Sequence, residues 1–208
     1  MLRSIAREYP PALVSKQLRD IDRIAYYVSL VSSRHGRNAR VCDIGAGFGL
    51  FSLGCAALGM SSTMVDDFQD DDIRNNCGKF LELHRRYGVT AIRRDVIAMG
   101  VEFPPNSFDV VTAFETMEHW HHSPKSLFQQ LLLSLKPGGS FILGVPNCVD
   151  LWKRITVPLG RAKWSSINDW YEREVFGGHV REANVADLRY IARDLSLVNT
   201  SRENNGAE

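Results

Sequence analysis

Three glycines at alternate positions, Gly45, Gly47 and Gly49, follow an acid, Asp43, in the stretch VCDIGAGFGLFSL. Glycine is costly inside regular structure, so a run this bare belongs where backbone turns sharply or lies close to a ligand. The spacing is G-x-G-x-G, and Leu50 stands where a dinucleotide-binding loop carries its last glycine. No Gly-Lys-Ser/Thr follows, which excludes a phosphate-cradling P-loop. Asp43 is a poor neighbour for a pyrophosphate and a good one for positive charge. Asp66 lies 21 residues after Gly45, where an acid accepts hydrogen bonds from the two hydroxyls of a ribose; Asp67 is the alternative. Together these residues ask for a nucleoside with a cationic part and no diphosphate.

A second group, Glu115, Glu118, His119, His121 and His122, is packed into ETMEHWHHSP. If a helical turn begins there, Glu115, Glu118 and His119 fall at i, i+3 and i+4 on one face. Two carboxylates and an imidazole can hold a divalent ion, and a carboxylate-rich set suits magnesium or manganese better than zinc. The metal-free reading gives Glu115 or His119 a catalytic role without an ion, with His119 orienting an acceptor or taking its proton, as an imidazole titrating near neutrality can. Farther along, His179 follows Gly177 and Gly178, which let the backbone turn so that the ring faces a site, as a catalytic group or a further metal ligand. His121 and His122 read as solvated residues at a helix start. All of these groups also have structural readings, as turn acids, caps and satisfied histidines.

Strands and helices in alternation position these groups. Residues 13–34 carry apolar positions at helical spacing. ARVCDIG is a buried strand, LFSLGCAALG a helix closed by Gly59, and SSTMVDD a second strand. IRNNCGKFLELHRRYG reads as helix, TAIRRDV as a short strand and FDVVTAFE as a buried one. Ser123 and Pro124 form an N-cap and first-turn proline for a helix to Leu135, and KPGG then turns the chain into the strand SFILGV. This alternation predicts an α/β fold, a doubly wound, Rossmann-like, mostly parallel sheet flanked by helices. NVADLRYIARDL gives a further helix and SLVNTSR a sixth strand. The final strand expected of such a sheet is missing; the chain is a piece of a longer protein, or the sheet is shorter.

The whole chain reads as one domain of 208 residues: an N-terminal helical segment 1–37, a binding core 38–146, an insertion 147–178 and a C-terminal helix and strand 179–208. With a formal charge of +1, nothing marks it as a general polyanion binder. No apolar run is long enough for a membrane span, and the charged, proline-containing start is unlike a secretory signal. The four cysteines show no C-x-x-C spacing, which suits a reducing cytoplasm.

S-adenosylmethionine (SAM) has the composition the first site asks for: adenosine, a sulfonium, an ammonium and no phosphate. Here the chain resembles the class I SAM-dependent methyltransferases over residues 38–200, through VCDIGAGFG, MVDD, RRDV, FDVVTAFETMEH and LKPGGSFILGVPN in order. The resemblance implies that Gly45 and Gly47 line the methionine part and that Asp43 helps hold its amino group. Asp66 or Asp67 takes the ribose and Asp95 faces the adenine amino group, with Ala46, Val96 and Phe114 completing the cofactor set. E-x-x-E-H is similar to the metal-binding segment of small-RNA 2′-O-methyltransferases and to the corresponding segment of the ubiquinone-pathway O-methyltransferases. Gly-His-Val-Arg at 178–181 is similar to a segment that closes the acceptor pocket of small-molecule methyltransferases.

The fourth strand is followed by ETMEH where amide N-methyltransferases carry D/N-P-P-Y/F, so an oxygen acceptor is expected, on a glycan, a lipid-linked metabolite or a phenol. The insertion places Trp152, Trp164, Trp170 and Tyr171 beside Lys153, Arg154, Arg161 and Lys163, and is expected to form an acceptor lid over the strand ends. The same residues read as a surface for peripheral contact with an anionic membrane, or as a small subcore. A metal-assisted RNA ribose methyltransferase is disfavoured by the near-zero charge. A non-catalytic SAM-binding partner subunit is the remaining reading. Oligomeric state leaves no mark in the sequence.

Overall fold

The protein was analysed as a computed structural model, whose description covers residues 1–161, 165, 167–172 and 176–197. The expected Trp164 and Lys163 contributions and the strand in SLVNTSR beyond Leu197 lie outside the described residues. The chain divides into two compact units, Met1–Met117 with His122–Gly144, and Glu118–His121 with Val145–Glu208.

The first unit opens with α1 (Leu2–Ala6), α2 (Pro11–Arg19) and α3 (Ile21–His35). Apolar periodicity runs on through 13–34, but two helices form, because the chain leaves helical geometry at Asp20. Then follow β1 (Arg40–Ile44), α4 (Leu50–Ala57), β2 (Ser61–Asp66), α5 (Asp71–Arg86), β3 (Thr90–Arg93), α6 (Val96–Met99), β4 (Phe108–Phe114), α7 (Lys125–Ser134) and β5 (Leu135–Gly144). Gly59 closes α4 at φ +94°, as expected of a residue just past a helix end. α7 starts one residue later than its sequence signal: Pro124 is the N-cap, and the Ser123 hydroxyl accepts from the Lys125 amide at 3.3 Å.

All strand pairs are parallel, in the order β3-β2-β1-β4-β5, so the order reverses between β1 and β4. Open sheets of this kind bind ligands at the strand carboxyl ends beside such a reversal. β5 begins at Leu135 rather than after KPGG. Its pairing jumps from Phe108↔Leu135 to Val110↔Ser140, so Lys136–Gly139 form an irregularity within the strand, and Lys136 pairs with Asp109 at 2.8 Å.

The core packs Val41, Met64 and Val110 of the sheet against Leu13, Val28, Val31, Leu53 and Phe80 of the helices. At Gly54 a Cβ would lie 2.8 Å from both Leu2 and Val28, so the glycine is what lets α1 and α3 seat on α4. Cys42 and Cys55 are buried, and all four thiols are free. Among the described residues, no helix is long and apolar enough to cross a membrane.

The second unit contains a 3₁₀ turn at Met117–His119 that it shares with the first, then α8 (Leu151–Thr156), α9 (Ile167–Tyr171) and α10 (Val185–Asp194). α10 carries a capping box: the Asn184 side chain accepts from the Asp187 amide, and the Asp187 carboxylate accepts from the Asn184 amide. A parallel bridge pairs Asn147, at the start of the insertion, with Ala183, just before α10.

Candidate functional site

β1 delivers Asp43 to its carboxyl end, where the side chain is 3% exposed. Across the sheet, Thr112 of β4 donates its hydroxyl to Asp43 Oδ1 at 2.7 Å, and Ser52 of α4 contacts Oδ2 at 3.4 Å. Burial pushes the Asp43 carboxyl up to about 7, against the pull of those two hydroxyls and with the negative charge of Asp66 adding to the rise. An acid held in this way gains most from a cationic ligand.

The turn after Asp43 is built by hydrogen bonds to the neighbouring strand. The amides of Gly45 and Ala46 donate to the Val65 carbonyl at 2.8 and 3.3 Å, and the Gly47 amide donates to Asp66 Oδ2 at 2.9 Å. The glycines at 45, 47 and 49 all have positive φ. Their surroundings differ. A Cβ at Gly45 would lie 2.0 Å from Thr116 Oγ1, and one at Gly49 would lie 2.4 Å from the Nε2 of buried His84. A Cβ at Gly47 meets nothing within 4 Å, so Gly47 is the glycine that faces open space. Tyr9 secures the same loop from α1's side by donating its hydroxyl to the Phe48 carbonyl at 2.6 Å.

The two ribose candidates differ in the same way. Asp66 is half-buried and accepts from the amides of both Gly47 and Phe68, while burial raises its carboxyl above the usual range. Asp67 is exposed and caps its own turn, accepting from the Gln69 amide at 2.9 Å. Asp95 is the N-cap of α6, where Oδ1 accepts from Ile97 and Ala98, and Val96 behind it is buried. Phe114 ends β4 with one face stacked on Tyr27, at a centroid distance of 3.9 Å and an interplanar angle of 2°.

Glu115 does not start the helical turn that the E-x-x-E-H spacing suggests. Its amide donates to the Gly144 carbonyl at 2.7 Å, prolonging the sheet, and its φ of +52° is left-handed. A non-glycine residue held there carries strain of the kind found beside binding sites. Its carboxylate pairs with Arg23 of α3 at 2.8 Å. Arg23, Tyr27, Ser52, Thr112 and Thr116 carry no recognisable motif; only the fold brings them to the strand ends.

In the second unit, Glu118, His119 and His179 each place a ligand-capable atom within 4.8 Å of the others. Glu118 is 1% exposed, and its backbone carbonyl accepts from the amides of Val180 and Arg181 at 2.7 and 3.3 Å, which draws the two segments together. The rings of His119 and His179 meet edge to face, with centroids 4.9 Å apart. His119 Nδ1 contacts the Gly177 carbonyl at 3.1 Å, and His179 Nδ1 contacts Glu182 Oε1 at 2.8 Å. Burial of the ring, then the neighbouring His179, lower the His119 pKa. His121 is exposed and contacts the Phe176 carbonyl at 3.2 Å. Two imidazoles and one carboxylate form a set suited to a borderline ion such as manganese or zinc; magnesium favours oxygen donors.

Among the described residues, the insertion shows no subcore. α8 buries none of its residues, and Leu151, Trp152, Trp170 and Tyr171 are exposed. Helices this short cannot turn a full apolar stripe inward. Lys153, expected to serve an anionic acceptor, is paired with Glu182 instead. Burial raises the Glu182 carboxyl, but Lys153 and His179 outweigh that and hold it below the usual range.

The family described as a methyltransferase domain matches residues 16–201. The ubiquinone biosynthesis O-methyltransferase of Xanthomonas campestris pv. campestris (strain B100) is 33% identical over 113 residues, covering 52% of this chain and 44% of that protein. The chain thus spans about half the length of the curated relatives it matches. Among solved structures, Burkholderia thailandensis 1,6-didemethyltoxoflavin-N1-methyltransferase superposes with a TM-score of 0.60 at 19% identity, covering 85% of this chain and 70% of that one. Magnesium protoporphyrin IX methyltransferase from Synechocystis PCC 6803, with bound S-adenosylhomocysteine, gives 0.59 at 17% identity, covering 86% and 74%. At such identities the likeness is one of fold. With a family match over most of its length on this architecture, the chain belongs to the methyltransferase domain family, among the class I SAM-dependent methyltransferases.

Proposed function

We propose that the protein transfers the methyl group of SAM to an oxygen of a small-molecule acceptor. The observation that carries the cofactor reading is the pair of acids, Asp43 and Asp66, at the ends of adjacent parallel strands, with the open Gly47 between them in the turn. This arrangement repels phosphate and suits a nucleoside bearing a sulfonium and an ammonium. Asp43 takes the ammonium, Asp66 the ribose hydroxyls and Asp95 with Val96 the adenine edge; Gly45 and Ala46 line the methionine part, and Phe114 the neighbouring wall.

Transfer is an in-line displacement at the methyl carbon. The acceptor oxygen forms the new C–O bond as the C–S bond breaks, and the electron pair leaves with sulfur to give the neutral thioether. Alignment and exclusion of water supply most of the acceleration. The hydroxyl proton passes to an imidazole, His119 or His179, and from there to water. Were a divalent ion held by Glu118, His119 and His179 instead, it would occupy those imidazoles and take the place of the imidazole base by lowering the pKa of a bound hydroxyl. The curated relatives are named as ubiquinone biosynthesis O-methyltransferases, which supports an oxygen acceptor, on a phenol, a glycan or another lipid-linked metabolite. The exposed apolar and aromatic residues of α8 and α9 supply a surface for such an acceptor.

The test is S-adenosylhomocysteine formation from SAM with panels of phenols, sugars, amines and amides, each with and without a chelator. O-methyl ether products support the reading. Products methylated only on nitrogen, or no turnover of any acceptor by SAM-bound protein, contradict it.

A further inference from the structure

His119 and His179 look equivalent in the sequence, but the structure gives them different partners. His119 Nδ1 faces a backbone carbonyl, that of Gly177. His179 Nδ1 faces a carboxylate, Glu182, one α10-side residue that Lys153 of α8 in turn grips through an ion pair. The Lys153 and Glu182 side chains are 19% and 18% exposed, so the pair is largely withdrawn from solvent. Exposed ion pairs contribute little, but a shielded pair holds a defined geometry.

A carboxylate accepts hydrogen bonds and does not donate them. The hydrogen in the His179–Glu182 contact therefore sits on Nδ1, and Nε2 of the neutral ring keeps its lone pair. In free imidazole side chains the Nε2–H tautomer is the usual one, so the contact reverses the ordinary preference. The backbone fixes the ring's base as well: the His179 amide donates to Ser165 Oγ at 3.2 Å, and a Cβ at Gly178 would lie 2.5 Å from both Ser165 and Phe176. The ring of His179 is thus set by its own backbone, by Glu182 and, through Glu182, by Lys153.

We propose that Glu182 and Lys153 are positioning residues, which hold His179 in the Nδ1–H tautomer and leave Nε2 as the ring atom offered to the Glu118–His119–His179 group. His119, backed only by a neutral carbonyl, completes the wall beside it. This rests on the placement of His179 in the reaction described above. An imidazole whose second nitrogen donates to a carboxylate is held in one tautomer and orientation and is a better ligand, and loss of such a backing group typically costs 10–100-fold in function.

The test reads the tautomer directly. Long-range nitrogen–proton NMR correlations of the full chain, recorded at about pH 8.5 where imidazoles are neutral, report which ring nitrogen of His179 carries hydrogen. Wild-type protein is expected to show Nδ1–H. Glu182→Gln retains it, because an amide carbonyl accepts the same hydrogen, whereas Glu182→Ala and Lys153→Met shift the ring towards Nε2–H. Turnover is expected to fall roughly tenfold or more in kcat for Glu182→Ala, with the SAM dissociation constant unchanged and Glu182→Gln recovering most of the loss. An Nε2–H ring in wild-type protein, or an unchanged tautomer in Glu182→Ala, overturns the proposal. Wild-type protein that shows the Nδ1–H ring yet methylates no oxygen acceptor would instead count against the reaction itself.

Discussion

Gly47 donates its amide hydrogen to Asp66 Oδ2 at 2.9 Å, which joins the glycine turn after β1 to the acid ending β2. The Phe68 amide fixes the other carboxylate oxygen at 2.7 Å. Two amides leave further lone pairs on each oxygen, enough to accept from ribose hydroxyls.

Asp43 links pH to both stability and binding. In the unfolded chain its carboxyl ionises near the usual carboxylate value of about 3.9, while in the fold it keeps its proton up to about 7. Between those values the folded state holds the extra proton, so its stability falls as pH rises, and the loss is complete above about 7. Asp43→Asn removes this dependence. Its gain in melting temperature over wild type should be larger at pH 8 than at pH 5, as read by thermal unfolding. The same variant should bind SAM roughly tenfold or more weakly, because a hydrogen bond to a charged group is lost. Wild-type affinity should also weaken as pH drops below about 7, where Asp43 takes up its proton.

Gly45 and Gly47 separate folding from binding. Gly45→Ala drives a Cβ to within 2.0 Å of Thr116 Oγ1, in a left-handed conformation, and should cost about 1–3 kcal/mol in urea unfolding. Gly47→Ala meets no atom within 4 Å and should lose only the left-handed penalty of about 1 kcal/mol. If SAM occupies that open side, as proposed, Gly47→Ala should nevertheless lose SAM affinity in titration.

Glu115 and Glu118 sit three residues apart in the sequence but do different work. Glu115 is paired with Arg23, whereas Glu118 is grouped with His119 and His179. In a cobalt titration followed by absorption, Glu115→Gln should keep wild-type affinity. Glu118→Gln and His179→Ala should weaken it by roughly tenfold or more, at least the cost of losing a supporting group.

Trp152 and Leu151 are 65% and 73% exposed. Alanine at either position should change stability by no more than about 0.5 kcal/mol. If this surface receives the acceptor, the acceptor KM rises while the melting temperature and SAM affinity stay put.

The strand–turn–helix around Gly45, the strand FDVVTAFE and the acid at 66 were legible because each is a local signal: an apolar run, a glycine break, a fixed spacing. The break at Asp20 was not, since apolar periodicity continues across it. The start of β5 was hidden because KPGG has turn composition, yet the strand absorbs it as an irregularity opposite Phe108–Val110. In the site, Asp43 was readable but its holders Thr112 and Ser52 were not; their roles depend on the register of β1 against β4. Glu115 looked like a partner of Glu118 because helical spacing assumes a helix, and the extra sheet bond to Gly144 removes that assumption. Composition alone left three readings for the 147–178 segment, because aromatic and basic residues serve a lid, a membrane face or a subcore equally well.

The SAM site is tested by calorimetric titration of the purified chain with SAM, beside NAD and an Asp66→Ala variant. Micromolar SAM binding, no heat with NAD, and loss of SAM binding in a folded Asp66→Ala protein are expected. Folded wild-type protein that binds no SAM, or an Asp66→Ala variant that binds it undiminished, would overturn the proposed SAM site.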